Sequence, residues 1–321
     1  MLESDERFCV LRNTINSCFD FACILIHSIF MSKRKNQADH EDSDSDSEDT
    51  PTFIDVDFDF FGLNATNDYH AIKRLLDQLF GVDAESLSMH ALADLVLSQP
   101  DIGTTIKTDG EESSPYAFLS VLNIGVHNDN VSIKSLVPYI LAKSKGDDAF
   151  HESLSTILRD PQCQVGLVLC ERLINMPVPV IPPMYRMLVD ELRDAVEENE
   201  PFNFTHLIFI SRVYKLTPEE EEAMTIAQQQ PGKASKRQKS QNSTGETNDR
   251  SPDGVYPFHP EDEEIRKFAS HHLIFPYSNA QPRNAESFGL DTAGRLMLVP
   301  AAQFTELARV LGDVFQPPGN V

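Results

Sequence analysis

The sequence predicts an α+β (α/β) protein with a single mixed central sheet flanked by helices, and three neighbouring features support that prediction. Residues 165–169, VGLVL, form an apolar run too short for a helix and typical of a strand buried on both faces. Residues 175–183 are rich in proline, which predicts a rigid, extended crossover. Pro183 then suits the first position of an amphipathic helix. Its predicted apolar face holds Met184, Leu188, Leu192 and Ala195, and its acidic face holds Asp190, Glu191, Asp194, Glu197 and Glu198.

The chain before this centre predicts a strand, a hairpin and four helices. Apolar residues alternate with acids over residues 53–60, which indicates a half-buried strand with an acidic outer face. Residues 103–108 and 116–124 are predicted strands, joined as a hairpin across Asp109 and Gly110. Apolar stripes predict helices over residues 72–80, 87–96, 133–141 and 150–158.

The chain after the centre predicts three strands and a last helix. Residues 205–216 are the longest strand candidate. Residues 217–253 break the pattern with Glu-rich, Gln-rich and Ser-rich sequence, and we expect a disordered insertion there. Further strands are predicted over residues 272–277 and 296–299, and a helix over 304–311.

The composition describes an acidic protein. The 321 residues carry a formal net charge of −23, and 40% are hydrophobic. Outside residues 1–52 and 217–253, 32 Asp and Glu still face 17 Lys and Arg, so the folded body is itself acidic. Such a surface repels nucleic-acid phosphates and favours basic protein partners. We therefore expect no direct nucleic-acid binding.

The first 30 residues differ from the rest of the chain. Residues 19–30 are a dozen mostly apolar residues, too few to span a bilayer, so we expect no membrane insertion. A membrane anchor is the rival interpretation. We expect translation to start at Met31 and residues 1–30 not to pack on the domain.

Residues 31–52 have the composition of a disordered acidic tail. Within it, Ser43, Ser45 and Ser47 stand among acids, a context typical of phosphorylation by acid-directed kinases. A plain solubilising tail is the simpler interpretation.

Two basic clusters are candidate nuclear-import signals, or basic patches without function. The first is Lys33, Arg34 and Lys35, and the second is Lys233, Lys236, Arg237 and Lys239.

Candidate chemistry is sparse. Cys170 stands beside Glu171 and Arg172, but a thiol at the end of a buried strand more often packs than reacts. His206, His271 and His272 lie in apolar strands without an acid at fixed spacing, which favours core or edge histidines. The five cysteines show no metal-ligand spacing, and the chain lacks a phosphate-binding glycine loop. We expect no catalytic residues, no metal and no cofactor.

The segment at 165–188, VGLVLCERLINMPVPVIPPMYRML, resembles the signature region of the BCCIP family, nuclear proteins that include the fungal BCP members. The resemblance extends over about residues 31–315. It includes FIDVDF at 53–58, PYAF at 115–118, FTHLIFISRVY at 204–214 and FHPEDE at 258–263.

This resemblance implies a fold similar to that of the GNAT acetyltransferases. Those enzymes hold the acetyl-CoA pyrophosphate on a glycine-rich turn of the form Q/R-x-x-G-x-G/A. The corresponding strand exit here, residues 170–177, reads CERLINMP and contains no glycine. Its backbone N–H groups could not close on a phosphate, and Glu171 would repel one.

Three functions remain open. The first is a non-enzymatic nuclear escort and export adaptor for basic clients, which shuttles to the cytoplasm. The resemblance implies a large-subunit ribosomal protein as client, together with nuclear export of a phosphoinositide kinase and contact with transport receptors. The second is an acetyltransferase with unusual cofactor binding, and the third is a scaffold in DNA repair or cell-cycle control. The predicted client-binding residues are Asp55, Asp57, Asp59, Glu261, Asp262, Glu263 and Glu264.

Overall fold

A sheet with nine strands among the described residues forms the centre of the protein. The computed structural model describes residues 11–13, 56–218, 220–221, 254–278 and 290–316. The strands are β1 (Leu11–Asn13), β2 (Val56–Gly62), β3 (Thr104–Lys107), β4 (Ala117–Asn123), β5 (Val165–Arg172), β6 (His206–Lys215), β7 (Val255–Pro257), β8 (His271–Pro276) and β9 (Asp291–Pro300). The helices are α1 (Tyr69–Phe80), α2 (Met89–Leu97), α3 (Val131–Ser144), α4 (Asp148–Arg159), α5 (Ile181–Glu197), α6 (Glu261–Phe268) and α7 (Phe304–Val314).

The strand order is β1-β2-β3-β4-β5-β6-β9-β8, and β7 pairs with β6. Among the described strands, only β5 and β6 are parallel to each other, and the other pairs are antiparallel. The long connection through α5 permits the parallel pair, because parallel strands need a crossover. The predicted single mixed sheet is therefore confirmed.

Helices cover both faces of the sheet, each over its own apolar core. Leu167 and Leu169 of β5 join the core under α1–α4, whereas Val168 joins the core under α5–α7. This alternation follows from the strand's two-residue period. The prediction that β5 is buried on both faces is confirmed.

The predicted helices and strands are present within the described ranges, with shifted ends. In the central region, β5 extends three residues beyond the predicted end at 169, and α5 begins at Ile181, two residues before the predicted start at Pro183. Proline is tolerated throughout the first turn because the N–H groups there have no partner within the helix. Within the described ranges of the chain, no helix is long and apolar enough to cross a bilayer.

The N-terminal extension contributes one short strand. β1 pairs antiparallel with β2, and Leu11, Arg12 and Asn13 stand opposite Phe58, Asp57 and Val56. The expectation that residues 1–30 do not pack on the domain is wrong for this segment, because the edge of β2 offers unpaired backbone groups to an added strand.

A fork opens between β5 and β6, and the candidate site lies in it. The two strands are paired only from Val165–His206 to Val168–Phe209. Beyond that point β6 pairs with β7 on this side, at Val213 to Lys215. We use "the fork" for the space between the β5 segment after Val168 and the β6 segment after Phe209.

Candidate functional site

The fork lies at the carboxyl ends of the two parallel strands. In open α/β sheets this is where ligands usually bind. Here the chain fills the position with its own charged side chains. They come from the last residues of β5, from β6 and β9, and from the segment that leads into α6. The buried members are Glu171, Arg172, His259, Glu261, Asp262 and Arg295.

Arg172 joins β5 to helix α6. Its Nε and Nη2 donate to the two carboxylate oxygens of Glu261, each at 3.1 Å, and Nη1 donates to the carbonyl of Met176 at 2.9 Å. The two-pronged geometry of the guanidinium matches a carboxylate. Arg172 lowers the pKa of Glu261, although burial alone would raise it. This pair anchors the start of α6 to the sheet.

Glu171, the neighbouring residue, points to the opposite face and contacts one arginine and one histidine. Arg212 Nε donates to its Oε2 at 2.8 Å, and His259 Nε2 hydrogen-bonds to Oε1. Burial would raise the pKa of Glu171, but His259 and Arg212 lower it to about 2. Arg212 also stacks on the Phe258 ring at 4.3 Å. The start of α6 and the segment before it are thus attached to neighbouring side chains that point to opposite faces of β5.

Asp262 stays buried without a matching cation in hydrogen-bond contact. Burial raises its pKa to about 7, against the opposing influence of His259. Its Oδ2 has no hydrogen-bond partner, and neither has His259 Nδ1 or Ser211 Oγ. These three residues line a cavity of about 10 Å³ together with Cys170 and Tyr185.

The surroundings of Cys170 do not favour a reactive thiol. Burial raises the pKa of the Cys170 thiol well above its usual value, and Glu261, Asp262 and Glu171 raise it further, which opposes thiolate formation. The cavity approaches the volume of one water and is far smaller than a cofactor. Within the described residues, no group of three or more His, Cys, Asp or Glu could hold a metal ion.

Two of the predicted client-binding acids on the first long strand lie in β2. Asp57 is exposed and Asp59 is half-buried. Arg12 occupies the position opposite Asp57 in the β1–β2 register. Asp55 lies outside the described residues.

The acidic run at 261–264 corrects our prediction. Glu261 and Asp262 are only 2% and 6% exposed, so they cannot meet a partner at the surface. Glu263 pairs with Arg266 at 2.8 Å and Arg295 at 2.7 Å, and Glu264 pairs with Lys267 at 2.6 Å. All four acids occupy the first turn of α6, where a negative charge interacts favourably with the positive end of the helix dipole. Glu261, Glu263 and Glu264 therefore serve ion pairs within the protein.

Helix α5 has acids at its C-terminal end, which is the negative end of the helix dipole. Its last turn contains no basic residue, and Glu197, Glu198 and Glu200 are exposed at or just beyond its C-terminal end. None of the ion pairs among described residues includes these three. The helix ends at Glu197, and Asn199, two residues later, has a φ of 64°, the left-handed conformation common just after a helix.

Glu191 of the same helix is not on the exposed acidic face that we predicted. It is half-buried and accepts a hydrogen bond from Gly103 N at 2.8 Å. Burial raises its pKa to about 7.

The remaining predicted residues do not join the fork. His206 and His271 are half-buried and His272 is exposed, and among the described residues none of their side chains hydrogen-bonds to the residues of the fork. The import-like residues Lys33, Arg34, Lys35, Lys233, Lys236, Arg237 and Lys239, and the serines Ser43, Ser45 and Ser47, lie outside the described residues.

Sequence reasoning missed His259, Arg212 and Arg295. A signal existed for the two arginines, because each stands inside a strongly apolar strand. A charge in such a strand requires a buried partner. The local sequence gave no sign that His259 also binds Glu171, the partner of Arg212.

Comparisons with known proteins agree with the resemblance in sequence. The family model described as BCCIP matches residues 53–265. Protein bcp1 of Schizosaccharomyces pombe is 40% identical over 255 residues, covering 77% of this chain and 86% of that protein. Protein bcp1 of Emericella nidulans is 38% identical over 257 residues, covering 78% and 84%.

A solved structure is also similar. The crystal structure of BCP1 from Saccharomyces cerevisiae matches with a TM-score of 0.55 and 27% identity, covering 80% of this chain and 88% of that one. The match therefore includes nearly the whole relative, not one shared motif. The chain belongs to the BCCIP family.

Proposed function

We propose that this protein is a non-enzymatic escort and export adaptor for basic client proteins in the nucleus, and that it shuttles to the cytoplasm. The family resemblance names the client class: a large-subunit ribosomal protein, and in the fungal members an export role for a phosphoinositide kinase. Direct contacts with nuclear transport receptors belong to the same proposal. The import-like basic clusters of the sequence agree with a nuclear location.

One observation carries the proposal: acids on α5 are placed where they lower the stability of the helix. The C-terminal end of a helix is its negative end, and an acid there costs about 0.3–1 kcal/mol. Glu197 and Glu198 nevertheless lie in or next to the last turn, followed by Glu200, and α6 shows that this chain can place acids favourably. A basic partner would relieve the repulsion, which gives these residues a reason to be acidic.

The wider surface supports the same conclusion. Among described residues, exposed Asp and Glu outnumber exposed Lys and Arg by about two to one. Several exposed cations are already paired with acids, such as Arg193 with Asp190 and Asp194. A newly made ribosomal protein presents many cations meant for RNA. An acidic partner can cover them, with each exposed pair adding about 0–1 kcal/mol and charge mainly setting the approach rate.

The fork supports a role without catalysis. A non-enzymatic protein has no need for an open pocket at the carboxyl ends of its parallel strands, and here ion pairs fill that position. We keep no second function, because no observation in the structure favours a repair scaffold over an escort.

The test combines partner capture with charge reversal. Affinity purification from nuclear extract should enrich basic proteins, including a large-subunit ribosomal protein. The purified client is then measured by biosensor kinetics at several salt concentrations, against wild type and the variant Glu197→Lys, Glu198→Lys, Glu200→Lys. We expect slower association and a weaker salt dependence for the variant.

A control separates the position of the charges from their number. The variant Glu85→Lys, Asp94→Lys, Glu152→Lys makes the same change in net charge at exposed sites on or next to other helices. We expect it to retain most of the wild-type association rate. The proposal is wrong if the α5 variant associates like wild type and wild-type binding is independent of salt.

A further inference from the structure

The cavity in the fork is lined by buried polar groups that lack partners. Ser211, His259 and Asp262 line it, and each is at least nine-tenths buried. Ser211 Oγ, His259 Nδ1 and Asp262 Oδ2 have no hydrogen-bond partner within the protein. Buried polar atoms are rarely left unpaired, since each costs the energy of its lost hydration. Three residues that carry such atoms line this one cavity, and we take this as the sign of a ligand.

The size of the cavity restricts that ligand. Its volume of about 10 Å³ is close to the minimum that admits one water molecule. A nucleotide, an acetyl group or a peptide side chain would not fit. Because no metal-binding group occurs among the described residues, a coordinated cation is disfavoured as well.

We propose that one internal water molecule binds in the fork and joins Ser211 of β6 to His259 and Asp262 beside and within α6. Sites for internal water need two to four polar partners, and this cavity supplies three. The water would complete the attachment of α6, which the two ion-pair groups at Glu171 and Arg172 begin. This inference stands independently of the proposed client binding.

The hydrogen-bonding pattern suits water in particular. His259 Nε2 is engaged with the Glu171 carboxylate, so Nδ1 is the ring atom left for the cavity. It accepts a hydrogen bond when the ring is neutral and donates one when the ring is protonated. Asp262 likewise accepts as a carboxylate and can donate as an acid. Water both donates and accepts hydrogen bonds, and it can therefore bind His259 and Asp262 in either protonation state of each side chain.

Position 211 allows a matched test. Threonine and valine have nearly the same shape, and both suit a strand, but only threonine keeps the hydroxyl group. With a water in the cavity, Ser211→Thr should have a folded-to-unfolded ratio about tenfold above that of Ser211→Val, the usual effect of one buried hydrogen bond. Urea unfolding of the full chain measures both ratios.

The opposite order would overturn the proposal. In a dry cavity the Ser211 hydroxyl has no partner, so valine should be as stable as threonine or more stable. A high-resolution crystal structure gives a second measurement. We expect one peak at about 2.6–3.2 Å from Ser211 Oγ, His259 Nδ1 and Asp262 Oδ2. An empty cavity, or direct pairing of His259 with Asp262, would contradict the inference.

Discussion

Arg172 donates two hydrogen bonds to Glu261, and both side chains are almost completely shielded from solvent. The residues are 89 positions apart and join the end of β5 to the start of α6. A buried pair of this kind adds little net stability compared with apolar residues, but it is costly to break. The pair therefore fixes where α6 can dock.

Removing one partner of this pair should destabilise the protein strongly. Glu261→Ala leaves the Arg172 guanidinium buried with only the Met176 carbonyl as partner. We expect a loss of about 3–5 kcal/mol in the free energy of unfolding, measured in urea. Glu264→Ala, in the same helix turn, is the control. It breaks a pair with the exposed Lys267 and should cost no more than about 1 kcal/mol. Equal losses would show that Glu261 has no special role.

The network should also make stability depend on pH in two directions. The pKa of Glu171 is lowered from 4.5 to about 2. Its ionised form therefore stabilises the folded state fully above pH 4.5, and this stabilisation is lost as the pH falls toward 2. Asp262 has a raised pKa, about 7 against an ordinary 3.8. Its protonated form therefore stabilises the folded state fully below pH 3.8, and this stabilisation is lost as the pH rises through 7.

Asp262→Asn should therefore remove the loss on the alkaline side. Asparagine imitates the protonated acid and cannot ionise. One pKa unit corresponds to about 1.4 kcal/mol, and the rise from 3.8 to about 7 already includes the opposing influence of His259, so we expect the variant to gain about 4 kcal/mol over wild type between about pH 4 and pH 8. Unfolding at several pH values measures this. Asp94→Asn, at an exposed site, controls for the lost charge. A pH-independent difference between Asp262→Asn and wild type would contradict the assignment.

The backbone elements could be predicted because local patterns determine them. The apolar run of β5, the prolines before α5 and the stripe on that helix each act over a few residues. The prediction for the acids at 261–264 was wrong because their positions depend on residues far away in the sequence. A run of four acids normally faces water, and only the distant Arg172 and Arg295 turn part of this one inward.

A local signal could have corrected that error. Pro260, four acids, and then Arg266 and Lys267 form the charge order of a helix aligned with its dipole. That order predicts a structural use of the acids. Which of them are buried depends on the separation of β5 from β6, a tertiary feature without a pattern in either strand.

Acetyl-CoA should not bind. The strand exit at 170–177 lacks glycine, and the adjacent fork contains buried side chains and a cavity near the size of one water. Calorimetric titration of the full chain with acetyl-CoA should give no heat beyond dilution at physiological concentrations. Micromolar affinity would contradict the non-enzymatic proposal and favour an atypical acetyltransferase.

The acids at the end of α5 should reduce stability and promote client binding at the same time. Glu197→Gln with Glu198→Gln removes two negative charges from the negative end of the helix while keeping side-chain size. We expect the free energy of unfolding to rise by about 0.5–1.5 kcal/mol at low salt, and the gain to shrink as salt screens the dipole. Client association should slow in the same variant.

This combination separates a binding role from a structural one. If the two glutamates supported the fold, the variant would be less stable, and any loss of binding would follow from that. The matched control is Glu263→Gln with Glu264→Gln in the first turn of α6, where the same charge change should lower stability because these acids face the positive helix end and pair with Arg266, Arg295 and Lys267. A stabilised α5 variant that binds its client at the wild-type rate would leave the acids unexplained and would remove the main support for the escort function.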